Sequence, residues 1–401
     1  MLPPVSKEDF AVILANALCK NGVEQKSLHF DQKDFALRLK DGRGQILSSL
    51  HLSNLYNGFS QATTEKERDN VVRRALAVWS QSDETRSYEE VKPFLRPIIR
   101  EKRHYPIASD DPSQLAYPQS PISYQYTLLI AIDNTDFITP LSEFDFEKFG
   151  VSFEVALEDA YDNLNKIPLE WAIHESSESP ADCCYVYESE HEYASSIIVF
   201  PEAILELPVL GRHIVFTPAK NVTIVTGSEC MYGLQTALEF IDECEYRQNA
   251  LMPEFLCLNE NGDGYVSSEL SRDHPMFEPF HKIRLLEEAG IHVEYAKQYE
   301  SKFDQLYKQS NRLADYTVYD IDGRFESQTE FAADEHNVIF PQVERILITS
   351  DEGDISLFWD DFGEVAQDNC PQISEYPLLF QLQKPLTKSQ IDDLRQLHSD
   401  D

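Results

Sequence analysis

Residues 259–264 read Asn-Glu-Asn-Gly-Asp-Gly, with oxygen-bearing side chains at alternate positions and a glycine at the sixth. A calcium loop begins this way; it takes oxygens from positions 1, 3, 5, 7 and 9 and closes on a bidentate glutamate at position 12. Asn259, Asn261 and Asp263 would be its first three ligands, and only Asp263 brings charge. Position 12 is Leu270, and the glutamate falls one residue early, at Glu269. A helix should precede such a loop, whereas the run Glu-Phe-Leu-Cys-Leu at 254–258 has the pattern of a strand. Asn261-Gly262 suits a type I′ turn. The expectation is a β-hairpin tip, with Asn259, Asn261 and Asp263 kept as residual metal candidates and no cofactor expected.

Two further groups of acids could do chemistry. Asp133 and Asp136 follow the apolar run Leu-Leu-Ile-Ala-Ile, and carboxylates at a strand's end can hold magnesium or move protons. They are the catalytic candidates; the competing use is turn formation and capping. Residues 318–323, Val-Tyr-Asp-Ile-Asp-Gly, imitate the haloacid-dehalogenase nucleophile signature. Ten residues separate Ser350 from Asp361, fewer than a parallel crossover needs, and no lysine lies between Gly323 and Asp361 to neutralise a phosphate. These acids are expected in hairpin turns. No P-loop, Gly-x-Ser-x-Gly, Gly-x-Gly-x-x-Gly or His-Glu-x-x-His occurs.

The basic counterpart is one run: Arg96, Arg100, Lys102, Arg103 and His104. Arg96, Arg100 and Arg103 could grip an anion or an acidic partner, or could pair internally with the acidic remainder. That remainder is large. The chain of 401 residues carries a formal net charge of −36. Residues 1–110 hold 17 Lys+Arg and 15 Asp+Glu, so the excess lies entirely beyond them. Such a surface repels nucleic acid and anionic lipid and attracts a basic protein or peptide. No apolar run of membrane-spanning length occurs, and the start lacks a signal-peptide pattern. The seven cysteines are odd in number and form no Cys-x-x-Cys. Buried thiols in a reducing cytoplasm are therefore expected.

The elements that must position these residues are legible from capping and periodicity. Ser6 with Asp9, Thr64 with Glu67, Thr226 with Glu229 and Thr387 with Gln390 resemble capping boxes. Phe10, Ile13, Leu14, Ala17 and Leu18 make the first apolar stripe. A proline-rich stretch at 106–121 leads into a central strand ending at Asp133. Strands follow in 213–218 and 221–226, and a helix-rich segment beyond about 275 is expected to break at Gly290. Asp322-Gly323 and Gly353 mark later hairpins. The expected units are 1–110, an N-terminal α+β lobe; 111–274, a central α+β lobe; and 275–401, a helix and β-hairpin extension. The fold class is α+β with mixed or antiparallel sheets.

Residues from about 25 to 260 resemble the YtpQ-like bacterial proteins, a domain of unknown function. The stretches that carry the resemblance are Phe-Leu-Arg-Pro-Ile-Ile-Arg at 94–100, the Ile-Ala-Ile-Asp strand and the helix at 153–166. The most specific is the block from 185 to 226, with Tyr193-Ala194-Ser195-Ser196, Gly211 and Pro218. The resemblance implies an α+β fold and a cytoplasmic unit. It implies no activity and hence no catalytic residues; 1–110 and 111–274 together form the family-like unit. The functional expectation is a non-catalytic protein-binding module. Alternatives are a metal-dependent enzyme using strand-end carboxylates, or an immunity or stress-response module acting through the C-terminal extension.

Overall fold

A computed structural model describes residues 2–32, 35–44, 46–82, 86–105, 116–134, 138–245, 249–259, 261–262, 264–306 and 312–398. The N-terminal part comprises α1 (Lys7–Lys20), the antiparallel strands β1 (Leu28–Asp31), β2 (Ala36–Lys40) and β3 (Ile46–His51), then α2 (Ser53–Gln61) and α3 (Glu65–Ser82). The Ser6 hydroxyl accepts the Asp9 N–H at 3.0 Å and starts α1. Thr64 and Glu67 start α3 in the same way, Glu67 accepting from the Thr64 N–H at 3.1 Å. Phe10, Ala11, Leu14 and Leu18 form the buried face of α1 and meet Leu37, Leu50, Leu52, Phe59 and Ala75. Ile13, placed by periodicity on that face, is 37% exposed.

The central part has two sheets. After the short α4 (Tyr88–Val91), β4 (Leu95–Glu101) pairs with β6 (Tyr126–Asp133), which also pairs with β5 (Ser120–Pro121) and β7 (Ile138–Pro140). The helices α5 (Glu143–Phe149) and α6 (Phe153–Leu164) follow. The second sheet is antiparallel and runs in the order β13-β12-β10-β11-β9-β8. Its strands are β8 (Ala172–Glu175), β9 (Cys183–Glu188), β10 (His213–Ala219), β11 (Val222–Gly227), β12 (Leu256–Leu258) and β13 (Tyr265–Ser267), with α7 (Pro201–Leu205) and α8 (Met231–Glu245) between them. The period-2 alternation divides its side chains. Val215, Val225, Tyr185 and Leu256 meet Ile99, Tyr126 and Leu128 of the first sheet. Ile214, Phe216, Ile224 and Val186 face Leu234, Ala237 and Ile241 of α8. The boundary expected at residue 110 thus has β4 and β6 on either side of it, paired in register from Leu95↔Ile132 to Glu101↔Tyr126.

The C-terminal part opens with α9 (Phe277–Leu306), 30 residues long. Two four-stranded sheets follow. One is β15 (Thr317–Ile321), β16 (Arg324–Ala332), β18 (Arg345–Thr349) and β19 (Ile355–Phe358); the other is β14 (Arg312–Leu313), β17 (Val338–Pro341), β21 (Leu378–Leu382) and β20 (Gln372–Glu375). The β16/β18 and β14/β17 pairs are parallel and the rest antiparallel. With α10 (Trp359–Ala366) and α11 (Lys388–His398) they enclose Phe331, Phe340, Ile346, Ile348, Leu357, Phe362 and Leu394. Asp322 and Gly323, both at positive φ (55° and 85°), turn β15 into β16. The Asp320–Asp322 pair that mimics a phosphate-transfer nucleophile is therefore a hairpin tip. The fold is α+β.

Two local expectations are corrected. Gly290 lies inside α9 and does not end it: Ala289 before it packs on the C-terminal core and Ile291 after it is buried. A Cβ built on Gly290 meets nothing within 4 Å. Gly290→Ala should raise stability by about 0.5–1 kcal/mol, the helix-propensity difference, read as a shift of the urea midpoint. A destabilised variant would show that the site needs glycine. The second correction concerns α8. The Thr226 hydroxyl is buried and donates to the Cys183 carbonyl at 2.8 Å, so it is not a cap. Asp182, from the β8–β9 loop, accepts the Tyr232 and Gly233 N–H groups at 3.1 Å each and serves that end.

Candidate functional site

The residues singled out by type fall into separate places. Asn259 and Asn261 stand at the tip between β12 and β13. There the Asn259 N–H donates to Gly264 O at 2.9 Å, and the Gly262 N–H donates to Asn259 O at 3.0 Å. Gly262 has φ 72°, the conformation the turn requires. Asp263 lies outside the described residues, as does Asp136. Among the described residues no group of three or more His, Cys, Asp or Glu is arranged to hold a metal ion.

Asp133 ends β6 and faces Arg96 of β4, 3.7 Å from its Nε. Burial raises the Asp133 carboxyl above its usual range, while Arg96 and His191 oppose that rise. Arg96 also lies over the Tyr193 ring, 5.8 Å from its centroid. Two residues along the same face of the strand is Ile98, and four along is Arg100, a buried cation. Its guanidinium donates to the Ile99 carbonyl at 2.8 Å and stands 3.7 Å from Glu192. Arg103 pairs with Glu101 at 2.9 Å and reaches Glu294 of α9 at 3.4 Å. His104 adds a 3.1 Å contact to Glu101, and the Met252 N–H donates to the same carboxylate at 2.6 Å. Burial would raise the Glu101 carboxyl, but His104, Arg103 and the Met252 N–H outweigh it and hold it down to about 2. The three arginines are thus engaged with acids of this chain.

A polar cleft of about 570 Å³ lies where the second sheet, α9 and the C-terminal sheets meet. Tyr124, Ser267, Ser268 and Glu269 line one wall, Arg284, Glu288 and His292 the helix side, and Ser327, Gln342–Glu344 and Leu378 the other wall. At its edge is an ion-pair network centred on His281, which is 3% exposed. The imidazole Nδ1 donates to Glu269 Oε1 at 2.9 Å. Its Nε2 donates to the Phe325 carbonyl at 3.1 Å and stands 3.3 Å from Glu344 Oε1. Only the imidazolium has donors on both nitrogens. Burial opposes that charge, yet the hydrogen bonds it donates to Glu269 and Glu344 push the pKa up to about 9. Both carboxylates are correspondingly held below their ordinary range against the opposing effect of burial. Arg284 pairs with Glu269 and, at 2.9 Å, with Glu288, whose other oxygen accepts the Tyr316 hydroxyl at 2.7 Å. His292 stacks on Tyr316 with ring centroids 4.9 Å apart, and burial holds it neutral, with a pKa of about 4. His281 and Arg284 therefore pair with three carboxylates of the cleft and fasten three elements together.

Glu269, the acid that falls one place short of a calcium ligand, is an anchor of this network. The sequence offered a signal for the rest: His281, Arg284 and Glu288 recur at i, i+3 and i+7 and so share one face of a helix. Glu344, far along the chain, left no such trace. Exposed carboxylates line other helices: Glu154, Glu158 and Asp162 on α6, and Glu239, Asp242 and Glu243 on α8.

Comparison with protein families, curated proteins and solved structures finds no match for this chain. No helix among the described residues is long and apolar enough to cross a membrane.

Proposed function

We propose that this protein is a non-catalytic binding protein that recruits a basic protein or peptide through its exposed carboxylates. One observation carries the reading: Arg96, Arg100, Arg103, His281 and Arg284 pair with acids of this chain, while a net charge of −36 is left to be met from outside. The arginines that could have gripped an anion are engaged by Asp133, Glu192, Glu101 and Glu294. Asp133, the strand-end candidate for acid–base chemistry, faces a guanidinium. A dispersed acidic exterior accelerates encounter with a cationic partner and repels polyanions. The seven thiols suit a reducing compartment such as the cytoplasm, and a YtpQ-like unit over 25–260 is part of the same proposal.

Affinity capture from native lysate at low and at moderate salt tests it. The expected result is a basic protein held at low salt and weakened at moderate salt, since exposed charges are screened over about 10 Å at 0.1 M. Capture of nucleic acid alone, or of nothing at either salt, would overturn the reading.

A further inference from the structure

We infer that β8 is the docking edge, and that the basic partner binds there as an extended segment added to the second sheet. The inference rests on the acidic-surface reading and says where and how that surface is used. β8 is the last strand in the sheet order, with β9 on one side and no strand on the other among the described residues. Its hydrogen-bonding polarity follows from the register. Ser176 N–H donates to Asp182 O at 3.0 Å, continuing the pairing in which His174 faces Cys184 and Ala172 faces Val186. Antiparallel pairs alternate between bonded and non-bonded, so Ile173 and Glu175 turn their N–H and C=O groups away from β9. Two donors and two acceptors therefore face outward along this edge.

The side chains fit the same occupant. His174 points to α8, 5.3 Å from the Phe240 ring, and covers that face. Ile173 on the opposite face is 58% exposed, with exposed Glu175 two residues on. The sequence from 167 to 211 contains nine acids and no lysine or arginine. Glu170, Glu175 and Glu178 are its exposed members beside β8. Glu243 lies three residues from Phe240 and so on the β8 flank of α8. Edge strands are commonly blunted by lysine or proline, and β8 carries neither. An added strand would set an apolar residue beside Ile173 and a lysine or arginine beside Glu175, the cross-strand pairings that stabilise a sheet. A second copy of this chain is the poorer occupant, because it would bring −36 against −36.

The probe is a blocked, labelled peptide, Lys-Val-Lys-Lys-Val-Lys, followed by fluorescence anisotropy at low salt against the full chain. Ile173→Pro removes one outward donor without touching a bond to β9 and should weaken binding by about tenfold or more. The same peptide with every amide N-methylated keeps its charge, loses its donors and should be weakened likewise; it serves equally if the proline variant does not fold. Amide exchange at Ile173 and Glu175 should slow when the unmodified peptide is bound. Equal binding of both peptides to the wild-type chain would overturn strand addition and leave the acidic-surface reading standing. No binding of either peptide would sink both. A dimer of the free chain that Ile173→Pro dissolves would assign the edge to self-pairing instead.

Discussion

His281→Ala should lower stability by about 3–5 kcal/mol at neutral pH, because it takes from Glu344 and Glu269 the imidazolium that both contact and leaves only Arg284 against Glu269. The pH dependence identifies the cause. The folded-state pKa of about 9 lies above the ordinary 6.5, so the contribution is complete below about 6.5 and is lost as pH rises through about 9. Glu269 and Glu344 are depressed, so their share is present above the ordinary value of 4.5 and is lost as pH falls. The network is at full strength between those two ordinary values. The shift of His281 alone corresponds to about 3 kcal/mol. Urea unfolding of wild type and His281→Ala from pH 5 to 10 should give curves that are far apart below pH 7 and converge near pH 10. A constant separation across that range would mean that the side chain acts by packing on Phe277 and not by charge.

Gly233→Ala should cost about 3 kcal/mol or more, opposite in sign to the gain expected at Gly290. An added Cβ would lie 2.2 Å from the Cys183 carbonyl oxygen and 2.2 Å from the Thr226 hydroxyl. Both belong to the sheet beneath α8, so the first turn of the helix would have to lift. Lifting would also part the Tyr232 and Gly233 N–H groups from Asp182. Thermal unfolding of the two alanine variants beside the wild type checks this. A rise in Tm for Gly233→Ala would show that helix propensity, and not close approach to β9, rules the position.

The two glycines also show what a single sequence can and cannot disclose. Caps at Ser6, Thr64 and Thr387 were legible because donor and acceptor lie three residues apart. The hairpins at Gly262 and Asp322 were legible because positive φ selects glycine or aspartate locally. Gly233 and Gly290 look alike in sequence, since what separates them is a carbonyl about 50 residues away. Thr226 with Glu229 had the spacing of a cap, yet the hydroxyl found Cys183 first and Asp182 took the helix end. The same limit applied to the network around His281: the helical partners could be spaced out, but Glu269 and Glu344 come from other elements. The basic run was visible as composition, and its pairing with Glu192 and Glu294 only as geometry.

The aromatic rings at the start of α9 bear on where this chain can be divided. Phe280 stacks on Phe216 at 5.2 Å and meets Phe255 edge-on at 5.6 Å, and Phe277 shares that core. A stop placed at residue 274, where the text of the chain changes character, would peel a lid from the middle sheet and leave two phenylalanine faces wet. The C-terminal segment is therefore no detachable appendage: its first two turns are masonry of the domain that precedes it.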